Sequence, residues 1–364
     1  MKITNFRTRV VKLSGERGPL GEIPGQVNTE FVTLEVHTSE GITGVSFAGY
    51  AGYAGSLTAA LKATLDALCG QIVGRDPFDT EAIGNRLRSA NGGAAPGGLV
   101  TRAAAAIDVA LWDIKGKALN LPLWKLLGGE RGRTKAYGSG HLWRHYSVAE
   151  LVEWAPKLVE NGFTSMKLRC GTAGASEASE VERLRVLRET VGPDVDIMID
   201  INQLWNVHQA TKLGRRFQEY NLFWLEDPVH HQDYAGMARI AAALDVPVCS
   251  GEYHYGIVPF RHMLAAESID IAMIDLFRVG GITPFLKAAH LAEAFNIPVV
   301  SHLATELFAA AMCAIPNALS VEHVPWTFPL WQEVPRVEGG EIVLSDRPGL
   351  GLSFNEELLA RSEV

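Results

Sequence analysis

Three acidic residues recur at a constant step of 26: Asp200, Glu226 and Glu252. Each ends or follows a short apolar run, at 195–199, 222–225 and 246–251. A strand, a helix and two turns take about that many residues, since a βαβ unit with both strands counted needs roughly 30. The spacing predicts that each carboxylate stands just past a buried strand, one βα unit from the next. In a parallel barrel such ends converge on one face. Three carboxylates in one small space force protons onto one another unless a cation neutralises them. A set of oxygen ligands suits Mg²⁺, which prefers octahedral oxygen coordination and keeps positions open for substrate and water.

The other strand ends carry ionisable groups as well. Lys167 and Arg169 are two residues apart and so on one side of a strand. Asn202 follows Asp200 at the same spacing, and Asp227 adjoins Glu226. Asp275, His302 and Glu322 end the next three apolar runs. A carboxylate substrate held by the ion can lose its α-proton, and the metal and nearby cations stabilise the enediolate that results. His302 is the candidate base. Asp275, one unit earlier, can hold the other ring nitrogen and fix the tautomer. Glu322 can donate to the substrate carboxylate if burial keeps it protonated. Taken singly, each residue has a plainer reading. An acidic residue after a strand often caps a helix. Asp227 precedes Pro228 and can simply set a turn, His230 and His231 read as loop residues, and Glu322 and His323 can form an edge pair.

The elements that must position these groups are legible in outline. Residues 1 to about 50 read as three strands, with a hairpin at Ser39-Glu40-Gly41. Helices are expected at 56–70, 78–90 and 103–119. From about Thr134 the pattern alternates. Eight short β-rich runs lie near 134–138, 164–168, 195–199, 222–225, 246–249, 270–274, 298–301 and 319–322. Amphipathic stretches fill most gaps: 148–160, 177–190, 207–219, 234–243, 282–294 and 305–314. This points to an α/β fold, a (β/α) barrel rather than an open sheet, although periodicity alone leaves a doubly wound sheet open. No Gly-rich dinucleotide fingerprint or Walker A sequence is present. The last forty residues hold no barrel unit and are expected to return to the first module.

The bulk numbers set boundaries. A chain of 364 residues suggests two domains. A formal net charge of −8 without a basic run argues against nucleic acid or an anionic membrane as partner. No apolar stretch approaches the roughly 20 residues of a membrane span. The N-terminus lacks a signal-peptide core. The cysteines, Cys69, Cys170, Cys249 and Cys313, have no paired spacing. Cytoplasmic residence is the expectation.

These residues resemble the enolase superfamily, and within it the mandelate racemase-like subgroup. The resemblance is carried by 104–117 with Pro122-Leu123 and Leu127-Gly128-Gly129, by Trp224-Leu225-Glu226-Asp227-Pro228, by Ser250-Gly251-Glu252, by Asp275 before Gly280-Gly281, and by Ser301-His302-Leu303. It implies a modified TIM barrel, (β/α)7β, over residues 131–325. The α+β capping domain would comprise 1–130, with 326–364 returning to it. It implies Mg²⁺ on Asp200, Glu226 and Glu252 and a His302–Asp275 dyad rather than a strand-six lysine base. It also implies capping loops, around 16–25 and 47–56, that close over the substrate. Tyr50 and Tyr53 are candidate substrate contacts there, with Asn202, His141 and Trp143 on the barrel side. A symmetric homo-oligomer is the expected assembly.

One departure matters. The family's strand-two motif is commonly Lys-x-Lys, with the second lysine a base on the face opposite the histidine. This chain has Lys167-Leu168-Arg169. Arginine stays charged at any ordinary pH and clamps oxygen anions well, but accepts protons poorly. A single base favours a one-face reaction over racemisation. The expectation is therefore syn-dehydration of an aldonic or aldaric sugar acid to a 2-keto-3-deoxy acid, the work of a hydro-lyase. The alternatives are a racemase or epimerase with Lys167 or Arg169 as second base, and a catalytically silent metal-binding barrel.

Overall fold

The computed structural model describes residues 1–13, 29–49, 56–91, 93–172 and 174–364. Tyr50, Tyr53 and most of the two capping-loop stretches lie outside the described residues. The N-terminal module is an antiparallel sheet of β1 (Ile3–Leu13), β2 (Thr29–Thr38) and β3 (Thr43–Ala48). It is backed by α1 (Ser56–Gly70), α2 (Thr80–Ser89) and the long α3 (Gly98–Ala118). Strand β3 lies directly on α3 because Gly44 has no side chain: a Cβ there would stand 2.2 Å from the Ala110 carbonyl oxygen. A one-turn helix, α4 (Leu123–Leu126), leads into the barrel.

The barrel strands are β4 (Arg133–Leu142), β5 (Ser165–Arg169), β6 (Asp196–Asp200), β7 (Leu222–Glu226), β8 (Val248–Ser250), β9 (Ile271–Asp275), β10 (Val299–His302) and β11 (Ala318–His323). They pair in sequence order, and β11 pairs in parallel with β4, which closes the ring. The helices between them are α5 (Val148–Glu160), α6 (Glu177–Val191), α7 (Val207–Phe217), α8 (Tyr234–Ala241), α9 (Val258–Ala265), α10 (Leu276–Val279), α11 (Ile282–Ala294) and α12 (Thr305–Met312). The barrel interior is a packed layer of Tyr137, Met198, Trp224, Cys249, Met273 and Val300. The capping module and the barrel share one continuous core. The Phe47 ring lies 5.7 Å from Phe31, 5.2 Å from Phe277 of α10 and 6.3 Å from Trp331. Asp108 of α3 accepts a hydrogen bond from the Thr283 backbone (2.9 Å) and so caps a barrel helix from the other module.

The C-terminal stretch divides. A hairpin of β12 (Arg336–Glu338) and β13 (Glu341–Val343) adds antiparallel to β4, with Ile342 opposite Thr134. Its turn is Gly339-Gly340, both at positive φ (59° and 80°), the backbone that two-residue hairpins require. The final helix, α13 (Glu356–Ser362), returns to β1, with the Glu356 carboxylate 2.7 Å from Arg9 Nη1. Gly349 and Leu350 also bond to the first module, at Leu121 and Asp113, whereas the hairpin joins the barrel. The hairpin signal lay in the glycine pair, but the strands that flank it are only three residues each.

Candidate active site

Strand register sets the layout. Arg169 pairs with Asp200, Asp200 with Glu226, and Asp275 with His302. The charged groups therefore stand at one level, the carboxyl ends of adjacent strands, as the 26-residue step requires. The chain turns sharply just past these ends. Asn202, Gln203, Asp227, Leu303 and Ala304 all have positive φ, between 40° and 66°. Such backbone costs on the order of 1–3 kcal/mol per residue and collects where function demands a particular direction. At Leu303 it aims the backbone N–H at Glu322 Oε2 (2.7 Å).

The site is buried. Lys167, Asp200, Glu226, Asp275 and Glu322 are essentially inaccessible. Lys167 Nζ lies 2.6 Å from Glu226 Oε1, 2.9 Å from Glu322 Oε1 and 3.7 Å from Asp200 Oδ2. Burial opposes its charge, but those three carboxylates outweigh the penalty and hold its pKa well above the ordinary lysine value. Arg169 Nη1 sits 3.2 Å from Asp200 Oδ2 and donates to Asn202 Oδ1 (2.8 Å). Its guanidinium lies over the Trp143 ring at 4.8 Å. Trp143 stacks in turn on Trp326, at 5.9 Å and 10° between planes.

His302 Nδ1 is 2.6 Å from Asp275 Oδ2, and its Nε2 is 2.9 Å from Glu252 Oε2. Burial disfavours the imidazolium, yet Glu252 and Asp275, one on each ring nitrogen, push the pKa up to about 10. Asp275 Oδ1 accepts from the backbone N–H of Phe277 and Arg278, so its carboxylate cannot swing away. Arg278 adds a brace that the sequence reading missed. Its Nη1 donates to the Glu252 carbonyl (2.7 Å) and lies 3.8 Å from Asp275 Oδ2. Its only sequence signal is a place one helical turn after Asp275.

One expectation needs correction. Glu322 is not a neutral donor. Burial pushes its pKa up, but Lys167, His302 and the Leu303 N–H pull it down further, and the net shift is downward. It accepts from Ser139 Oγ (2.7 Å) and from the Leu303 backbone as a carboxylate. Asp200, Glu226 and Glu252 stand at successive strand ends, and Asp200 and Glu252 both act on Glu226. Among the described residues no three such groups are arranged to hold one ion. Each is drawn to a protein cation instead: Asp200 to Arg169, Glu226 to Lys167, Glu252 to His302.

The donor set nonetheless fits a hard divalent cation. The buried Asp200 Oδ2 receives no hydrogen bond, and neither does the adjoining Asp227 Oδ2. Burial, helped by Asp200, Glu252 and Glu322 and opposed by Lys167, pushes the Glu226 pKa up to about 8. A carboxylate so reluctant to ionise is what a second nearby positive charge would relieve.

The remaining candidates divide. Asn202 and Trp143 adjoin the cluster through Arg169. His141 does not join it. It is buried, its Nε2 has no partner, and burial pushes its pKa down to about 4. Its electrostatic neighbour is His323, which packs between Phe163 and Phe328. The left-handed Gly140 and the register break between Gly138 and Leu142 upset the alternation that would have aimed His141 inward. Gly49, at the end of the capping sheet, lines a cavity of about 20 Å³ with Leu303, Ala304 and Trp326, so the capping module meets the rim of the site. A larger cavity, about 230 Å³, opens at the barrel's other end beside Lys135, Asp196 and Gly340. It contains none of the candidate groups.

Family models match both parts of the chain. Residues 150–358 match the enolase C-terminal domain-like family. Residues 18–128 match the N-terminal domain of the mandelate racemase / muconate lactonizing enzymes. The chain belongs to the mandelate racemase subgroup of the enolase superfamily. It is 32% identical over 346 residues to an L-talarate/galactarate dehydratase of Salmonella typhimurium, covering 95% of this chain and 84% of the relative. An L-talarate dehydratase from Polaromonas sp. JS666, solved with Mg and L-glucarate, superposes with a TM-score of 0.91 at 31% identity, covering 99% of this chain and 97% of that one. A racemase from Streptomyces coelicolor A3(2), solved with bound magnesium, also superposes with a TM-score of 0.91, at 29% identity and full coverage of both chains. Relatives of this chain in the superfamily thus run different reactions on a shared frame. No helix among the described residues is long and apolar enough to cross a membrane.

Proposed function

We propose that the protein is a Mg²⁺-dependent dehydratase of aldonic or aldaric acids, and that His302 is its one proton-transfer base. Asp200, Glu226 and Glu252 would hold the ion. When bound, magnesium would neutralise the substrate carboxylate and the charge that develops on it as the α-proton leaves. Lys167 is already a fixed cation between Glu226 and Glu322 and would steady the same carboxylate.

With Glu252 serving the ion, His302 Nε2 is the nitrogen left to face the α-carbon, while Asp275 keeps Nδ1 protonated. His302 takes the α-proton. The same imidazolium then gives that proton to the departing β-hydroxyl, which leaves as water with the C–O electron pair. The enol reverts to the ketone, giving a 2-keto-3-deoxy acid. One base performing both transfers makes the elimination syn.

The observation that carries this proposal is the pairing of Arg169 with Asp200 and Asn202, across the site from the His302–Asp275 dyad. A guanidinium so held is already protonated and cannot take up another proton, and Lys167 is held as a cation too. Similarity to a racemase makes α-proton exchange the reading to beat. Turnover of a panel of acid sugars in D₂O with Mg²⁺ distinguishes the two. Keto acid that reacts with semicarbazide, with recovered substrate free of deuterium, is the expected result. Deuterated substrate without keto acid would establish a racemase or epimerase.

A further inference from the structure

Two guanidinium groups converge on one neutral atom. Arg169 Nη1 and Arg144 Nη2 both donate to Asn202 Oδ1. Arg169 has a carboxylate, Asp200, at 3.2 Å. Arg144 has none within ion-pair distance among the described residues, and Asn202 is its side chain's sole hydrogen-bond partner there. Like charges gathered on a neutral acceptor repel, and the repulsion is weakly screened in a half-buried place. The indole N–H groups of Trp143 and Trp326 are buried and unpartnered. Asn202 Oδ1 is already engaged twice, and the nearby Asp200 carboxylate is drawn to Arg169. A guanidinium without a counter-charge is complementary to an anion with several oxygens, and its fork matches a carboxylate in particular.

The reacting carboxylate of the substrate would have its partners in the ion and Lys167. The Arg144 patch is a separate place on the rim. It lies past the end of β4 and reaches across the end of β5 to Asn202 beyond β6. In the ring of eight strands, β6 and β10 are four apart, so Asn202 and His302 face one another across the mouth. We propose that Arg144, with Asn202, receives the second carboxylate of the substrate, making the protein specific for diacids, the aldaric class, over aldonic monoacids. This rests on the acid-sugar reading above and narrows it.

Binding isolates this inference from turnover. The probes are a six-carbon aldaric acid and the aldonic acid of the same configuration, titrated calorimetrically into Mg²⁺-loaded H302N protein. The diacid should bind at least tenfold more tightly, and its affinity should fall more steeply with added salt. Arg144→Met should weaken the diacid by about ten- to hundredfold, the loss expected for one charged hydrogen-bonding group, and close the gap between the probes. Arg144→Lys should retain part of it. Equal affinity for the two probes, or an equal loss on both in Arg144→Met, overturns the proposal. Should Arg144→Met fail to fold, the salt dependence decides alone: parallel slopes for the two probes refute it. Arg144-dependent diacid binding with no keto acid from any substrate would leave this inference standing and defeat the dehydratase.

Discussion

Replacing Asp275 by Asn tests the dyad with little disturbance to the fold. Asp275 Oδ1 caps α10 by accepting from Phe277 N (2.9 Å) and Arg278 N (2.7 Å), and the amide oxygen of Asn can keep both. What changes is the other atom. Oδ2, 2.6 Å from His302 Nδ1, becomes an NH₂ group. Two effects follow. The amide donates where the carboxylate accepted, so neutral His302 must carry its proton on Nε2 and cannot act as base from that nitrogen. The imidazolium formed in the reaction also loses its counter-charge. At an effective dielectric of about 20, unit charges at that separation attract by about 6 kcal/mol. The amide dipole restores part of this, so a loss of about 3–6 kcal/mol is expected, or roughly 10²–10⁴ in kcat. KM should change little, because the metal ligands and Lys167 remain. The assay is steady-state keto acid formation, with α-proton exchange and thermal unfolding measured in parallel. D275N/H302N should be no slower than H302N alone, since the two residues act as one unit. A D275N enzyme that keeps more than a tenth of kcat, or a double variant slower by the product of the single effects, would refute the dyad.

Other perturbations give separate expectations. Arg169→Lys creates the Lys-x-Lys pattern and places a titratable amine opposite His302. It should introduce deuterium exchange into recovered substrate that the parent protein lacks, read by NMR in D₂O. Chelation should abolish turnover, and Mg²⁺ should restore it. At 100 times its Kd the ion should stabilise the fold by about 2.7 kcal/mol in thermal unfolding, and Glu226→Gln should remove most of that gain. Asp108, buried at the junction between modules, has its pKa pushed up to about 6 from 3.8 by burial, against the opposing Thr283 bonds. Its folded form binds a proton more tightly than its unfolded form. The stability it contributes is therefore complete below about pH 4 and is lost as pH rises through 6. The loss is roughly 3 kcal/mol. Asp108→Asn should flatten that part of the denaturant-unfolding profile; an unchanged slope between pH 4 and 7 would exclude this source.

Much of the barrel could be read locally. A strand end is marked by the last residue of an apolar run, and the 26-residue step of Asp200, Glu226 and Glu252 reflects the length of a βα unit. The sequence reading passed over α9 and α10; α10, at four residues, has too few turns to show a stripe. The Gly339-Gly340 hairpin escaped because its flanking strands are three residues each.

The sequence by itself determined which groups reach the rim, since strand periodicity and spacing are properties of neighbouring residues. It also determined that the second strand offers an arginine where a base would be needed. Only the tertiary structure decided who partners whom. Glu322 is ionised because ring closure brings β11 to β4 and leaves Lys167 2.9 Å away. His141 is drawn out of the site by a register break in β4. Arg144 meets Asn202, 58 positions away, because the closed ring lets the segment past β4 reach across the end of β5 to the segment past β6. Such pairings depend on closure and register among distant segments, and a carboxylate's charge state follows from the cations that closure places beside it.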